Sequence, residues 1–411
     1  MVDSFEASPH MTASDKGKSA AGTGSAKSAP CARSLALTGS TKRSESTALT
    51  ESTALTESAA RSGSVELAGM SLDELKNAMH DLGEKPFRAA QLFEWLHQKM
   101  VRDYSQMTNL SKSLREKLAQ NFELKEPELL TRMESKDGSC KYLCRLKDGL
   151  LCETVGMPSL SSEHKLSVCI SSQAGCAMGC AFCATGKLGL MRSLSAAELI
   201  DQLYLVSKDF DRRISHVVVM GQGEPFANYT ELMKALRIMN SDKGLAIGAR
   251  HITVSTCGII PMIKRFAEEP EQFTLAISLH SAVQSTRDLL MPGVRSYRLE
   301  KLKEAVVTYA ELSGRRPSYE YALMKGVNDS HEQLEALIKF TEGSLCHVNL
   351  IQLNEIEDSE FKPVSMKRAE EFKAALQQHG VECSIRCSRG QDIDAACGQL
   401  ASKHVKADQR L

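Results

Sequence analysis

No run of about 18 apolar residues occurs in the 411-residue chain, so the sequence offers no membrane-spanning helix. No positively charged leader followed by an apolar stretch opens it, which argues against secretion. Net charge is also missing, because 51 basic and 51 acidic side chains cancel. That balance argues against nucleic-acid binding by bulk charge but leaves room for a local basic face. What is present is ordinary for a globular chain: 42% hydrophobic and 25% charged residues, enough for a sizeable core. The length suits one large domain with accessories, or two domains.

Cysteine is the exception, with 13 copies. An odd count without a leader does not read as a disulfide framework. In a reducing cytoplasm, the expected location, clustered cysteines bind metal or do chemistry.

Residues 1–64 are dominated by Ser, Thr, Ala and Gly, and STALTE occurs twice between Ser46 and Glu57. Such a segment cannot bury enough apolar surface to offset its ordering entropy, which predicts a disordered tail. Its acids, Asp3, Glu6, Asp15, Glu45, Glu51 and Glu57, count against the alternative of a transit peptide. Residues 65–125 read as a helical module with an RNA-facing surface. Ser71-Leu72-Asp73-Glu74 is a capping box, and Phe87, Leu92, Trp95 and Leu96 mark an apolar face on a second helix. Residues 126–160 alternate in polarity around Asp137-Gly138 and Asp148-Gly149, predicting β-hairpins that carry Glu153.

Residues 161–411 form the core. Strand patterns at Lys165–Ile170, His216–Met220, His251–Ser255, Thr274–Leu279, Tyr319–Met324 and Val348–Leu353 alternate with helical ones. Repeated βα units imply an α/β fold with a parallel sheet, open or closed into a barrel, and six of them suggest a partial barrel. Function in such folds collects at the carboxyl ends of the strands.

Just after the first strand stands Cys176-Ala177-Met178-Gly179-Cys180-Ala181-Phe182-Cys183. Three thiolates from one short loop can hold three irons of a 4Fe–4S cluster and leave the fourth open to a substrate. On this motif alone, a zinc site completed from elsewhere or simply buried thiols remain alternatives.

In its βα context the loop resembles the radical S-adenosylmethionine (SAM) superfamily. The resemblance implies a partial (β/α)6 TIM-like radical SAM barrel, with a cluster on Cys176, Cys180 and Cys183 and SAM on the open iron. Gly223 and Glu224 after the second strand are similar to that family's SAM contacts. So are Ser255 after the third strand, Ser278, Leu279 and His280 after the fourth, and Asn354 after the sixth. Taken singly, each reads more readily as a turn glycine or a strand-end cap, and the resemblance rests on the ordered set.

Further segments resemble one branch, the RNA adenosine methyltransferases RlmN (C2) and Cfr (C8). These are Cys169–Cys176, Glu153-Thr154-Val155, the Asp392–Leu400 loop with Cys397, and Gly83–Arg88 with Trp95-Leu96-His97. The likeness spans about residues 66–405. It implies a methyltransferase consuming two SAM molecules. The first SAM methylates the Cys397 thiolate, and the second yields a deoxyadenosyl radical that activates the S-methyl group. The resulting carbon adds to the adenine, Glu153 takes the ring proton, and Cys169 releases the product through a transient disulfide with Cys397. Sulfur suits the carrier role because a thiolate is a strong nucleophile. The implied partners are 23S rRNA and tRNA, with an electron donor such as flavodoxin or ferredoxin, acting on a monomer. Lys187, Arg192, Arg386 and Arg389 are candidate RNA contacts by sequence proximity. C8 methylation and a non-catalytic, metal-stabilised RNA-binding protein are the alternatives. Gln222, inside Gly221-Gln222-Gly223-Glu224, and the missing proline after Asn354 depart from the family pattern. Zinc at Cys383 and Cys387 is a further alternative for those two residues.

Overall fold

The computed structural model describes residues 66–162, 164–356 and 359–400. The segment 1–64, for which composition predicts disorder, lies outside the described residues. Three helices come first: α1 (Leu72–Asp81), α2 (Phe87–His97) and α3 (Lys112–Asn121). At the start of α1 the Ser71 hydroxyl accepts from the Glu74 amide, and the Glu74 carboxylate accepts from the Ser71 amide. Helix α2 buries Ala89, Leu92, Phe93 and Leu96, a stripe at helical spacing. Phe87, expected on that face, is 52% exposed, and Phe93 fills the core instead. The first residue of the helix falls outside the stripe that the later turns define.

Strands β1 (Glu128–Glu134), β2 (Cys140–Arg145) and β3 (Leu151–Pro158) follow as an antiparallel meander. Its turns need φ +79° at Gly138 and +84° at Gly149, the region where glycine carries no Cβ penalty. Strand β4 (Leu166–Cys169) pairs antiparallel with β3. A small ribbon, β5 (Gln173–Gly175) with β6 (Leu190–Ser193), encloses α4 (Ala184–Leu188). Then α5 (Ala196–Phe210) leads into β7 (His216–Val219), α6 (Tyr229–Asn240) into β8 (Ile252–Thr256), and α7 (Ile260–Ala267) into β9 (Thr274–Ser278). Helices α8 (Gln284–Leu290) and α9 (Leu299–Ser313) precede β10 (Ser318–Leu323). Helix α10 (His331–Thr341) precedes β11 (His347–Gln352), and α11 (Met366–Gln378) precedes β12 (Glu382–Arg386).

One ten-stranded sheet results, in the order β1-β2-β3-β4-β7-β8-β9-β10-β11-β12. From β4 onward every pairing is parallel. The six expected strands are present, and β12 adds a parallel strand beyond them. Its residues, Glu-Cys-Ser-Ile-Arg, are too polar to stand out as an apolar run. Because β1 and β12 are the sheet ends, the barrel is partial. After β12 the chain runs back across β3 and β4, packing Ile393, Ala395 and Leu400 on Val155 and Cys169. No described helix is long and apolar enough to cross a membrane.

The helical module is locked to α5. A Cβ on Gly69 would stand 2.5 Å from the Ala197 amide nitrogen, so backbone meets backbone there. Arg102, 6% exposed, reaches Asp201 of α5 at 3.0 Å and the Leu96 carbonyl at 2.8 Å. Removing one partner of a buried ion pair strands the other. Asp201→Asn is therefore expected to cost about 3 kcal/mol in chemical denaturation. A loss below about 0.5 kcal/mol would mean that the pair contributes no more than a surface bridge.

Candidate active site

The cysteine loop closes because two glycines let backbone approach backbone. A Cβ on Gly175, at φ +76°, would fall 2.0 Å from the Gly189 carbonyl oxygen, and the Cys176 amide donates to that same oxygen at 2.9 Å. A Cβ on Gly186 would stand 2.8 Å from the Cys180 amide. The loop is tied to the end of α8 and the turn after it by Ala181 N–H to Leu290 O and Gly293 N–H to Met178 O, both 3.0 Å. Cys176, Cys180 and Cys183 all face one cleft at the carboxyl ends of the parallel strands. Burial pushes all three thiols up, Cys176 to about 11, and at Cys180 a negative charge on Cys183 adds most to that effect.

Among the described residues no three His, Cys, Asp or Glu side chains converge closely enough to hold a single metal ion. A cubane spaces its ligands across a cluster rather than around one atom, and three thiols on one cleft wall fit it.

Gly223, Glu224, Ser255, Ser278, His280 and Asn354 line the same cleft. Gly223 has φ +100°, and a Cβ there would be 2.6 Å from Gln173 Cβ. Glu224 is buried with both oxygens engaged, accepting from the Phe226 amide at 3.0 Å and the Cys257 amide at 2.8 Å. Ser255 and Ser278 hydroxyls stand 3.4 Å apart. The His280 ring accepts from the Ala322 amide through Nδ1 at 3.0 Å, and burial with nearby Arg287 brings it down to about 3, so it is neutral. Asn354 donates to the Cys397 carbonyl at 3.1 Å. Leu279 is not on the cleft wall: its side chain is fully buried in the main core, and its amide donates to Glu320 O at 3.0 Å.

The C-terminal loop brings Cys397 to this cleft, exposed, with Gly398 O accepting from the Ala184 amide at 2.8 Å. Cys169 lies behind it at the end of β4. Burial drives Cys169 up to about 12, a charge on Cys397 adds to that, and Arg386 opposes it. Every cysteine among the described residues is a free thiol, so the Cys169–Cys397 disulfide implied by the resemblance is not formed in this structure.

Glu153 sits beneath the loop and off the cleft wall, 1% exposed, with Lys141 Nζ at 3.3 Å. Burial raises its carboxyl, and Lys141 opposes that rise. Gln222 serves the same residue. Its Oε1 accepts from the Glu153 amide at 3.1 Å and its Nε2 is 3.5 Å from Glu153 Oε2. The residue that looked like a departure in sequence thus holds the predicted base, with both ends of its amide used.

The basic residues expected to face RNA are mostly committed elsewhere. Arg192 pairs with Asp148 and Glu198. Arg389 donates to Pro158 O and Asp137 O. Arg386 turns into the cleft beside Glu320 and is held charged chiefly by Cys397, against its burial. Sequence proximity to a functional cysteine could not say which way these side chains turn. Glu320, Phe182 and Arg386 line the cleft without having been singled out for it. Glu320 lies mid-strand, where its type alone carries no signal.

Comparison with known proteins adds an independent line. Residues 65–124 match the family described as the ribosomal RNA large subunit methyltransferase N-terminal domain, and residues 170–340 match the radical SAM superfamily. The chain is 47% identical over 344 residues to the probable dual-specificity RNA methyltransferase RlmN of Geobacillus kaustophilus, covering 83% of this chain and 93% of that one. It is 46% identical over 353 residues to the protein of that name from Bacillus subtilis, covering 85% and 96%. A crystal structure of a radical SAM methyltransferase from Sphaerobacter thermophilus superposes with a TM-score of 0.78 at 40% identity, over 82% of this chain and 98% of that one.

A charge on Cys397 reaches Cys169, so the two sulfurs are neighbours across the loop. Mild oxidation of the apo-protein with diamide is expected to include a Cys169–Cys397 disulfide among its products by peptide mass mapping. Disulfides at other positions first, with Cys169 and Cys397 both still alkylatable, would mean that the loop does not bring these two sulfurs together.

Proposed function

The chain belongs to the RlmN family of radical SAM RNA methyltransferases, and from that premise we propose that it methylates C2 of an adenosine in 23S rRNA and in tRNA, with Cys397 as methyl carrier. The observation that carries this reading is the position of Cys397: exposed on the cleft that holds the cysteine triplet, with Cys169 behind it. The RlmN name that the relatives carry supports C2 over C8. Their dual specificity fits two classes of RNA.

Cys176, Cys180 and Cys183 would hold a 4Fe–4S cluster, and the cleft beside them, from Gly223 to Asn354, would take SAM. When bound, the cluster supplies one low-potential electron for reductive cleavage of SAM, delivered by a carrier such as flavodoxin or ferredoxin. The rest falls to this chain's own side chains. C2 of adenine is an electrophilic amidine carbon, so direct displacement by a methyl cation donor does not work. A sulfur carrier solves this, because sulfur accepts the methyl group as a thiolate. Two SAM molecules are consumed per methyl delivered, one to load Cys397 and one to activate the loaded group. Arg386 lines the same cleft as Cys397. Glu153 takes the ring proton, and Lys141 and Gln222 fix its carboxylate. Cys169 then attacks the Cys397 sulfur as a thiolate; the S–C bond breaks with its electron pair on carbon, that carbon takes a proton to become the methyl group on the RNA, and the two cysteines are left as a disulfide. The target base must leave its stack to reach such a cleft.

Anaerobically reconstituted protein given reductant, methyl-labelled SAM and unmodified 23S rRNA is expected to yield labelled 2-methyladenosine on nucleoside mass spectrometry. Cys397→Ala should abolish transfer while sparing SAM cleavage. Labelled 8-methyladenosine, or transfer surviving in the variant, would overturn the assignment. A pH profile tests Glu153 separately. Burial already raises its carboxyl and Lys141 holds it back. A base works only when deprotonated, so Lys141→Met should move the acidic limb of the methyl-transfer profile to higher pH. Movement to lower pH, or none, would exclude Glu153 as the titrating base.

A further inference from the structure

Helix α8 buries the Arg287 guanidinium to 1% exposure without a full set of partners. Only Nη2 donates, to the Cys257 carbonyl at 2.5 Å and, at the long limit of 3.5 Å, to the Ser278 carbonyl. Nε and Nη1 are buried and meet no acceptor. Among the described residues no carboxylate pairs with it. Asp288, the one acid whose charge reaches it, accepts through Oδ1 from Gln284 Nε2 at 2.6 Å. The groups whose negative charge would favour this guanidinium most are Cys257 and Cys180.

An unpaired buried cation is among the most expensive features a protein can carry. The fold nevertheless makes room for this one. Gly258 has φ +105°, and a Cβ on it would stand 3.2 Å from Arg287 Nη2. The Cys257 peptide between them is gripped at both ends, its amide by Glu224 at 2.8 Å and its carbonyl by Arg287. One carbonyl bond needs no guanidinium, since any neutral donor would serve.

On the reading that Cys176, Cys180 and Cys183 hold the cluster, we propose that Arg287 is the buried counter-charge of that cluster and raises its reduction potential. A cubane on three thiolates is anionic and gains a further negative charge on reduction. A fixed cation on the Cys180 side, in a low-dielectric surround, therefore favours the reduced form. It also explains why an otherwise unfavourable charge is tolerated: its partner arrives with the metal. Arg287 touches no reacting atom in this account. It tunes the electron transfer that precedes the chemistry.

The test is an anaerobic redox titration of the reconstituted protein, followed by the electron paramagnetic resonance signal of the reduced cluster. Arg287→Met is expected to shift the midpoint to more negative potential at unchanged iron content. Arg287→Lys, which keeps the charge, should return most of the shift. Should the Met variant not retain iron, melting temperatures decide. Removal of a lone cation should leave the apo-protein as stable as wild type or more so, while the gain in melting temperature of the Lys variant on cluster loading exceeds that of the Met variant. An iron-replete Met variant with an unchanged midpoint would overturn the proposal. So would a Met substitution that destabilises apo-protein, because Arg287 would then be only a clamp on the Cys257 carbonyl. Wild-type protein that binds no iron would instead sink the cluster reading on which this inference rests.

Discussion

The hydrogen bond from the Ala184 amide to Gly398 O, at 2.8 Å, joins two segments that the chain keeps more than two hundred residues apart. On one side is the helix that follows Cys183, and on the other is the loop that carries Cys397. Everything specific about the site depends on that meeting. The Thr185 hydroxyl adds a bond to Leu400 O, and Asn354 holds the Cys397 carbonyl. At its other end the loop is tied to the meander. Arg389 bonds backbone carbonyls there, the Gly390 amide donates to Asp137, and Ser135 donates to Asp392. Burial alone would raise Asp137, but its hydrogen bonds from Ser139 and Gly390 win and hold it well below the ordinary carboxylate range. A carboxylate so stabilised is a firm anchor at any neutral pH. The meander, which could look like an accessory, is thus the mount for the mobile chemistry of the C-terminal loop.

Around this junction the protein buries charge in unequal ways. Glu153 is buried with a cation and an amide beside it, so the carboxyl is poised rather than locked. Arg386 is half-buried with Glu320 and two sulfurs near it. Arg287 is buried with almost nothing. Low dielectric magnifies each of these differences. The first suits proton removal, the second stands in the cleft beside Glu320, and the third keeps two donors unmet. Three ionisable side chains thus stand in three different environments, each set by its own neighbours.

Much of this was legible in the sequence, for reasons that differ by element. The parallel strands stand out because a strand covered on both faces is a continuous apolar run, as His-Val-Val-Val of β7 is. Strand β12 hid because its five residues carry a glutamate, a serine and an arginine. The cysteine loop was readable from spacing, because local geometry decides whether three thiols can share one ligand. Leu279 differs from the others, since the backbone at a strand end can face a cleft while the side chain turns into the core. The arginines misled for a related reason. Long side chains near a site choose their direction by tertiary partners, and Asp148, Glu198 and Glu320 are remote in sequence from Arg192 and Arg386 in all but one case. Gln222 is the instructive case. Sequence marked it as an oddity, and only the fold shows that its amide spans to Glu153.

The central claim is that Cys397 carries the methyl group on its way to RNA. The most direct measurement is peptide mass spectrometry of the reconstituted protein after incubation with methyl-labelled SAM and before RNA is added. The account predicts one labelled methyl group on the sulfur of Cys397, which disappears from the protein as label enters RNA. Labelled RNA formed while the Cys397 peptide never carries label would contradict it.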